Sequence, residues 1–126
     1  IDCIATDHAP HTIEDKETTF DCASFGMIGL ESAFGVVNRV LVKESGMELI
    51  DLISLLTTNP RKIFGFDANL FSKGAMAEIT VIDPDHEWIF GKDHIYSKSG
   101  NSPFIGESLE GKVELTISTN SIYKRQ

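Results

Sequence analysis

The sequence predicts an α/β chain, the end of an α/β unit followed by a small β-module. Three observations carry that expectation. The chain opens on an apolar, β-compatible run, two helical stripes follow it, and from Gly74 onward the apolar period drops from about 3.6 to about 2. Its 126 residues suit one compact domain and are too few for two ordinary ones.

Ile1 to Thr6 reads as a short buried strand, stopped by the polar cluster Asp7-His8-Ala9-Pro10-His11. Residues 12–24 are rich in Thr, Asp, Glu and Lys without a period and read as a solvated loop, long for a simple connection. Leu30, Ala33, Phe34, Val37, Val40 and Leu41 then share one helical stripe that Gly46 stops. Leu49, Leu52, Ile53 and Leu56 form the next, on a helix beginning near Ser45 or Met47. Asn59 reads as the N-cap and Pro60 as the first position of a short helix over 60–64, closed by Gly65. Ala77 to Asp83 alternates like a strand, which Pro84-Asp85 is expected to break. Residues 91–111 read mainly as loop, and 112–118 and 121–124 as a terminal hairpin around Thr119-Asn120, with Lys124-Arg125 a solvated end.

The composition narrows the function classes. Eleven Lys plus Arg against nineteen Asp plus Glu give a net charge of −8, with 41% hydrophobic residues. That balance argues against nucleic acid as a partner and against polybasic attachment to a membrane. No apolar stretch approaches the ~20 residues of a membrane helix. Cys3 and Cys22 read as reduced thiols rather than a disulfide framework or zinc knuckle, and no charged leader precedes an apolar core. The expected location is therefore cytoplasmic. The chain starts in mid-strand without Met, as expected of the C-terminal part of something larger.

Asp7-His8-Ala9-Pro10-His11 is the densest group of reactive side chains. A carboxylate and imidazoles after a strand can bind a divalent metal, relay protons or grip an anion, and β/α barrels carry catalytic groups at strand C-termini. The bland alternative is an Asp-capped, Pro-containing turn with two incidental histidines. In Phe25-Gly26-Met27-Ile28-Gly29-Leu30-Glu31, two glycines ahead of a helix let the backbone approach a ligand, or simply permit tight packing. His86 and His94 read as solvated surface histidines, Trp88 with Ile89 and Phe90 as core or interface, and residues 98–104 as a ligand loop or, by default, a surface turn.

Taken in order, Thr6-Asp7-His8-Ala9-Pro10-His11, then residues 25–31, then Thr58-Asn59-Pro60-Arg61-Lys62-Ile63-Phe64-Gly65 closely resemble the C-terminal region of the dihydroorotase family. Lys73-Gly74, residues 77–83, residues 97–106 and Gly111-Lys112-Val113 fit the same family. The resemblance implies a cyclic-amide hydrolase of the amidohydrolase superfamily, with a metal-dependent TIM-like β/α barrel beside a small β-sandwich. Such enzymes interconvert N-carbamoyl-L-aspartate and L-dihydroorotate in pyrimidine biosynthesis. Residues 1–73 would be the C-terminal end of the barrel, with 1–7 its last strand and 29–44 the following helix. Residues 74–126 would be most of the sandwich module.

By position, the resemblance makes Asp7 the catalytic and metal-associated carboxylate, which takes a proton from metal-bound water and returns it to the leaving ring nitrogen. It makes His11 the partner of the substrate carboxylate and the Phe25-Gly26 backbone a substrate-binding segment. His8 would support the loop. The family's His-x-His pair, carboxylated lysine, further histidines, and substrate-gripping Arg and Asn have no match in this chain. The implied cofactor is therefore one or two zinc ions in an intact parent and none held by this chain alone. The implied partners are a small-molecule substrate, the N-terminal part of the same protein and further copies in a homo-oligomer. A piece of a barrel would expose a strand edge and the apolar stripe of 29–44, so self-association, a partner chain or disorder near 1–25 is expected. A dihydropyrimidinase or allantoinase, or a non-catalytic dihydroorotase-like structural partner, are the alternatives.

Overall fold

In the computed structural model the described residues are 1–67, 69, 71–118 and 121–124. The opening segment forms no strand, and its Ile4 N–H donates to the Leu55 carbonyl at 3.1 Å. That corrects the expected strand over 1–6. The solvated stretch after it contains a helical turn, α1 (Ile13–Lys16), set by a capping box. The Thr12 hydroxyl accepts from the Asp15 N–H at 3.2 Å while the Asp15 carboxylate accepts from the Thr12 N–H at 3.4 Å.

The first apolar stripe forms α2 (Ala33–Val37), which continues as a π-helical segment, Asn38–Glu44. Next come α3 (Leu49–Leu56) and α4 (Thr58–Phe64), the latter ending at Gly65. Helix α4 begins two residues earlier than expected, with Thr57 rather than Asn59 as its N-cap. Pro60 still fits, because the N–H groups of a first turn have no helical acceptor to lose.

Among the described residues three antiparallel strands follow: β1 (Ile79–Ile89), β2 (Ser108–Ser118) and β3 (Ser121–Lys124), in the order β1-β2-β3. The expected hairpin is present, with Ser118 opposite Ser121, although its turn residues Thr119 and Asn120, like Arg125 of the expected solvated end, lie outside the described residues. Pro84-Asp85 does not end β1. The register shifts between Asp83 and Glu87, so proline sits in a bulge of an edge strand, where no ladder N–H is required. The interruption is closed from the helical side. The Asn38 amide, fully buried, donates to the carbonyls of Pro84 at 2.9 Å and Glu110 at 2.8 Å.

The core lies where α2 crosses the sheet. Trp88, Phe90 and Leu109 are buried, and Val36, Ile95, Phe104 and Ile105 pack against them. The Trp88 indole N–H donates to the Gly111 carbonyl at 3.0 Å, so its polar atom is satisfied inside. His94 is half-buried against Trp88 with ring centroids 4.8 Å apart, and accepts the Gly91 N–H. It is thus a packed residue and not the solvated surface histidine expected, and His86 is likewise only half exposed. Among the described residues no helix is long and apolar enough to cross a membrane.

Candidate functional site

The two motifs singled out in the sequence lie side by side. His8 and Met27 form a parallel bridge, and the Ala9 N–H donates to the Met27 carbonyl at 2.8 Å. Glycine makes the seam possible. Gly26 has φ +104°, and a Cβ there would stand 2.6 Å from the Ala9 Cβ. Gly29 packs so closely that a Cβ would stand 3.1 Å from the Thr6 carbonyl oxygen. The tight-packing reading of these glycines therefore holds, and the packing is between the two candidate segments.

His8 ties the seam to the start of α2. Its Nδ1 accepts the N–H groups of Gly29 at 3.1 Å and Leu30 at 3.3 Å. A neutral imidazole that accepts at Nδ1 carries its proton at Nε2, which faces the Ser97 hydroxyl at 3.3 Å. That hydroxyl in turn donates to Glu31 Oε1. The same oxygen accepts the N–H groups of Ser97 at 2.7 Å and Tyr96 at 3.2 Å. Burial of the Glu31 carboxyl works against ionisation, but these hydrogen bonds outweigh it and hold its pKa below the ordinary range. His8 thus supports the loop, as its position implied.

The three residues expected at the substrate also come together. His11 Nε2 lies 2.7 Å from the Phe25 carbonyl oxygen, to which it donates, and a Cβ on Gly26 would lie 3.7 Å from the same nitrogen. With Nε2 engaged, Nδ1 is the ring atom left for another partner. Lys16 Nζ donates to the carbonyls of Ser24 at 2.7 Å and Gly26 at 3.1 Å, closing the far side. Asp7 stands apart from these bonds. It is exposed, its backbone has φ +45°, and its carboxylate makes no hydrogen bond among the described residues. Left-handed backbone at a residue other than glycine is uncommon, and Asp7 is the residue of this segment that adopts it. No group of three or more His, Cys, Asp or Glu side chains among the described residues is placed to hold a metal ion.

Sequence reasoning missed Lys16 and Ser97 as members of this cluster; Glu31 stood in the second candidate motif, and Ser99 and Asn101 in the segment read by default as a surface turn. The capping pattern Thr12-x-x-Asp15 marks the turn that carries Lys16. Residues 98–104 read by default as a surface turn, although short hydroxyl and amide side chains such as those of Ser99 and Asn101 are the ones that bond to backbone. Nothing local shows which backbone they reach.

Comparison with known proteins follows the same lines. No family model matches the chain. It is 47% identical over 117 residues to the dihydroorotase of Elusimicrobium minutum, and 48% identical over 112 residues to that of Chlorobaculum tepidum. This chain is homologous to the dihydroorotases. The matches cover 93% and 89% of it but only 27% and 26% of those proteins, so it spans about a quarter of the length of its curated relatives. Among solved structures the dihydroorotase-related chain superposes on a D-hydantoinase (dihydropyrimidinase) from a Thermus species with a TM-score of 0.82 at 18% identity. That match covers 99% of this chain and 28% of the other. An L-hydantoinase (dihydropyrimidinase) from Arthrobacter aurescens gives 0.79 at 25% identity over 97% of this chain and 28% of its own. The mixed helix-and-strand fold is that of part of these amidohydrolase-superfamily proteins.

Proposed function

We propose that this chain is the C-terminal part of a dihydroorotase, which reversibly hydrolyses L-dihydroorotate to N-carbamoyl-L-aspartate in cytoplasmic pyrimidine biosynthesis. Residues 1–73 end its barrel and 74–126 supply most of its β-module. One observation carries the reading beyond sequence identity: the two candidate segments lie side by side, His8 bridging Met27 in parallel and His11 bonded to the Phe25 carbonyl. In this reading Asp7, which is free of other hydrogen bonds, accepts a proton from the attacking water and returns it to the leaving ring nitrogen. His11 and the Gly26 backbone meet the substrate. With Nε2 donating to Phe25, a protonated Nδ1 gives the imidazolium donor that a substrate carboxylate needs.

Hydrolases of this superfamily use a divalent ion, assigned here as zinc, to supply hydroxide at neutral pH. Asp7 by itself does not fit such an ion. Catalytic zinc takes about three protein ligands, and the described residues bring one carboxylate. The remaining ligands are assigned to the rest of the polypeptide. So is the cover for Phe20, Phe25 and Phe71, which are 94%, 91% and 85% exposed, and further copies in a homo-oligomer would shield others.

The test is to assay the longer polypeptide and the 126-residue chain in parallel with L-dihydroorotate, 5,6-dihydrouracil, hydantoin and allantoin, with metal content measured on both. Turnover of L-dihydroorotate by the longer protein alone, and no stoichiometric metal on the short chain, is the expected result. Preference for one of the other ring amides would reassign the substrate. A longer protein without hydrolase activity on any of them would be a structural partner instead.

A further inference from the structure

Three carbonyl groups of the seam, those of Ala9, His11 and Gly26, meet side chains from one distant segment. The Asn101 amide nitrogen donates to the carbonyls of Ala9 and Gly26, each at 3.2 Å. Its own backbone carbonyl accepts the Ile28 N–H at 3.0 Å. The Ser99 hydroxyl lies 2.6 Å from the His11 carbonyl oxygen and also meets Asn101 Oδ1. One asparagine therefore touches both candidate segments, across 92 residues to Ala9 and 75 to Gly26.

The orientation of that amide follows from its partners, since two carbonyl oxygens demand the NH2 end. Both of its N–H groups are then used, and its oxygen faces Ser99. The side chain has no donor left for a ligand. Whatever it does for a reaction, it does through the backbone it holds. That backbone flanks the His11–Phe25 contact on both sides, so a shift of either segment changes where His11 Nδ1 points relative to Gly26.

We propose that Asn101 is a positioning residue for substrate binding: it clasps the Ala9 and Gly26 carbonyls so that His11 and the Gly26 backbone face one substrate. The role rests on the dihydroorotase reading above, and it makes the loop ahead of β2 part of the binding apparatus. It also carries a consequence for specificity. If His11 meets the substrate carboxylate, loosening the clasp weakens recognition of that group more than of the ring amide.

The experiment uses the longer polypeptide and two variants, Asn101→Asp and Asn101→Ala. Aspartate keeps the size and replaces the donating nitrogen by an oxygen that repels both carbonyls, and alanine removes the clasp without repulsion. For both, KM for L-dihydroorotate is expected to rise about ten-fold or more while kcat changes less than about three-fold, the pattern of lost uniform binding. The preference for L-dihydroorotate over 5,6-dihydrouracil, which lacks the carboxylate, is expected to fall with it. Unfolding or general loss of structure lowers kcat on both substrates together and leaves that preference unchanged, and this outcome overturns the proposal. So does wild-type behaviour of both variants, which leaves the dihydroorotase reading standing. A wild-type protein that does not hydrolyse L-dihydroorotate removes the reading itself, and the positioning role with it.

Discussion

Gly26→Ala tests whether the seam between the two motifs is a real constraint. The new methyl group meets two costs. At φ +104° a side chain is strained by about 1–3 kcal/mol. The Cβ would also stand 2.6 Å from the Ala9 Cβ, well inside the ~3.5–4.0 Å of carbon contact, and relieving that overlap costs about 1–3 kcal/mol more. Gly46→Ala is the matched control. Gly46 also has positive φ, +75°, but nothing lies within 4 Å of its would-be Cβ, so only the backbone cost of about 1–2 kcal/mol applies. Urea unfolding of both variants, with hydrogen exchange at the Ala9 amide, separates the two costs. Gly26→Ala is expected to lower the midpoint further than Gly46→Ala, and to expose the Ala9 amide, which now donates to Met27. Adding Ala9→Gly removes the overlapping methyl and is expected to recover about 0.5–3 kcal/mol as coupling. Equal effects of the two alanines, or no coupling with position 9, would refute the close approach of the segments.

Other expectations concern the core and the charged groups. Leu109→Ala empties a fully buried site between α2 and the sheet, and a loss of about 2–5 kcal/mol is expected in thermal unfolding; a shift within error would place the core elsewhere. Trp88→Phe leaves the buried Gly111 carbonyl without its indole donor, for an expected loss of about 1–3 kcal/mol by denaturant titration. Glu31 gives a pH dependence. Although burial raises its pKa, the Ser97 hydroxyl and the surrounding N–H groups bring the net value below the ordinary 4.5. A depressed carboxyl contributes stability above its unfolded value, and loses it as the pH falls from there through the folded value. Glu31→Gln is therefore expected to flatten stability against pH below about 4.5, and parallel curves would show that the carboxylate does not hold residues 96–97.

How much of this was legible depends on the range of the interaction. The stripe from Leu30 to Leu41 and the stop at Gly65 are local, and α2, its π-helical extension and the end of α4 follow them. The start of α4 did not, because Thr57 and Asn59 are both acceptable caps and nothing local separates them. Ile1 to Thr6 has the composition of a strand, but a strand is defined by a partner, and this segment meets Leu55 at the end of a helix. Pro84 was a fair signal for a break. It was overruled from afar by Asn38, whose amide bonds to the Pro84 carbonyl and bridges the bulge to β2.

For the site, residue types alone were enough to single out candidates: Asp7, His11, Phe25 and Gly26 stand in a chain that is 47% identical over 117 residues to one dihydroorotase and 48% identical over 112 residues to another. How they meet came from contacts between distant parts of the chain. The fold placed Met27 beside His8, gave the His11 ring to the Phe25 carbonyl, left Asp7 free, and brought Ser97, Ser99 and Asn101 from the far end of the chain onto the same backbone. The physical reason is that a side chain's chemistry is carried by its residue type, whereas hydrogen bonds of a few ångströms depend on where the whole chain brings their two ends, and no window of neighbouring residues contains that information.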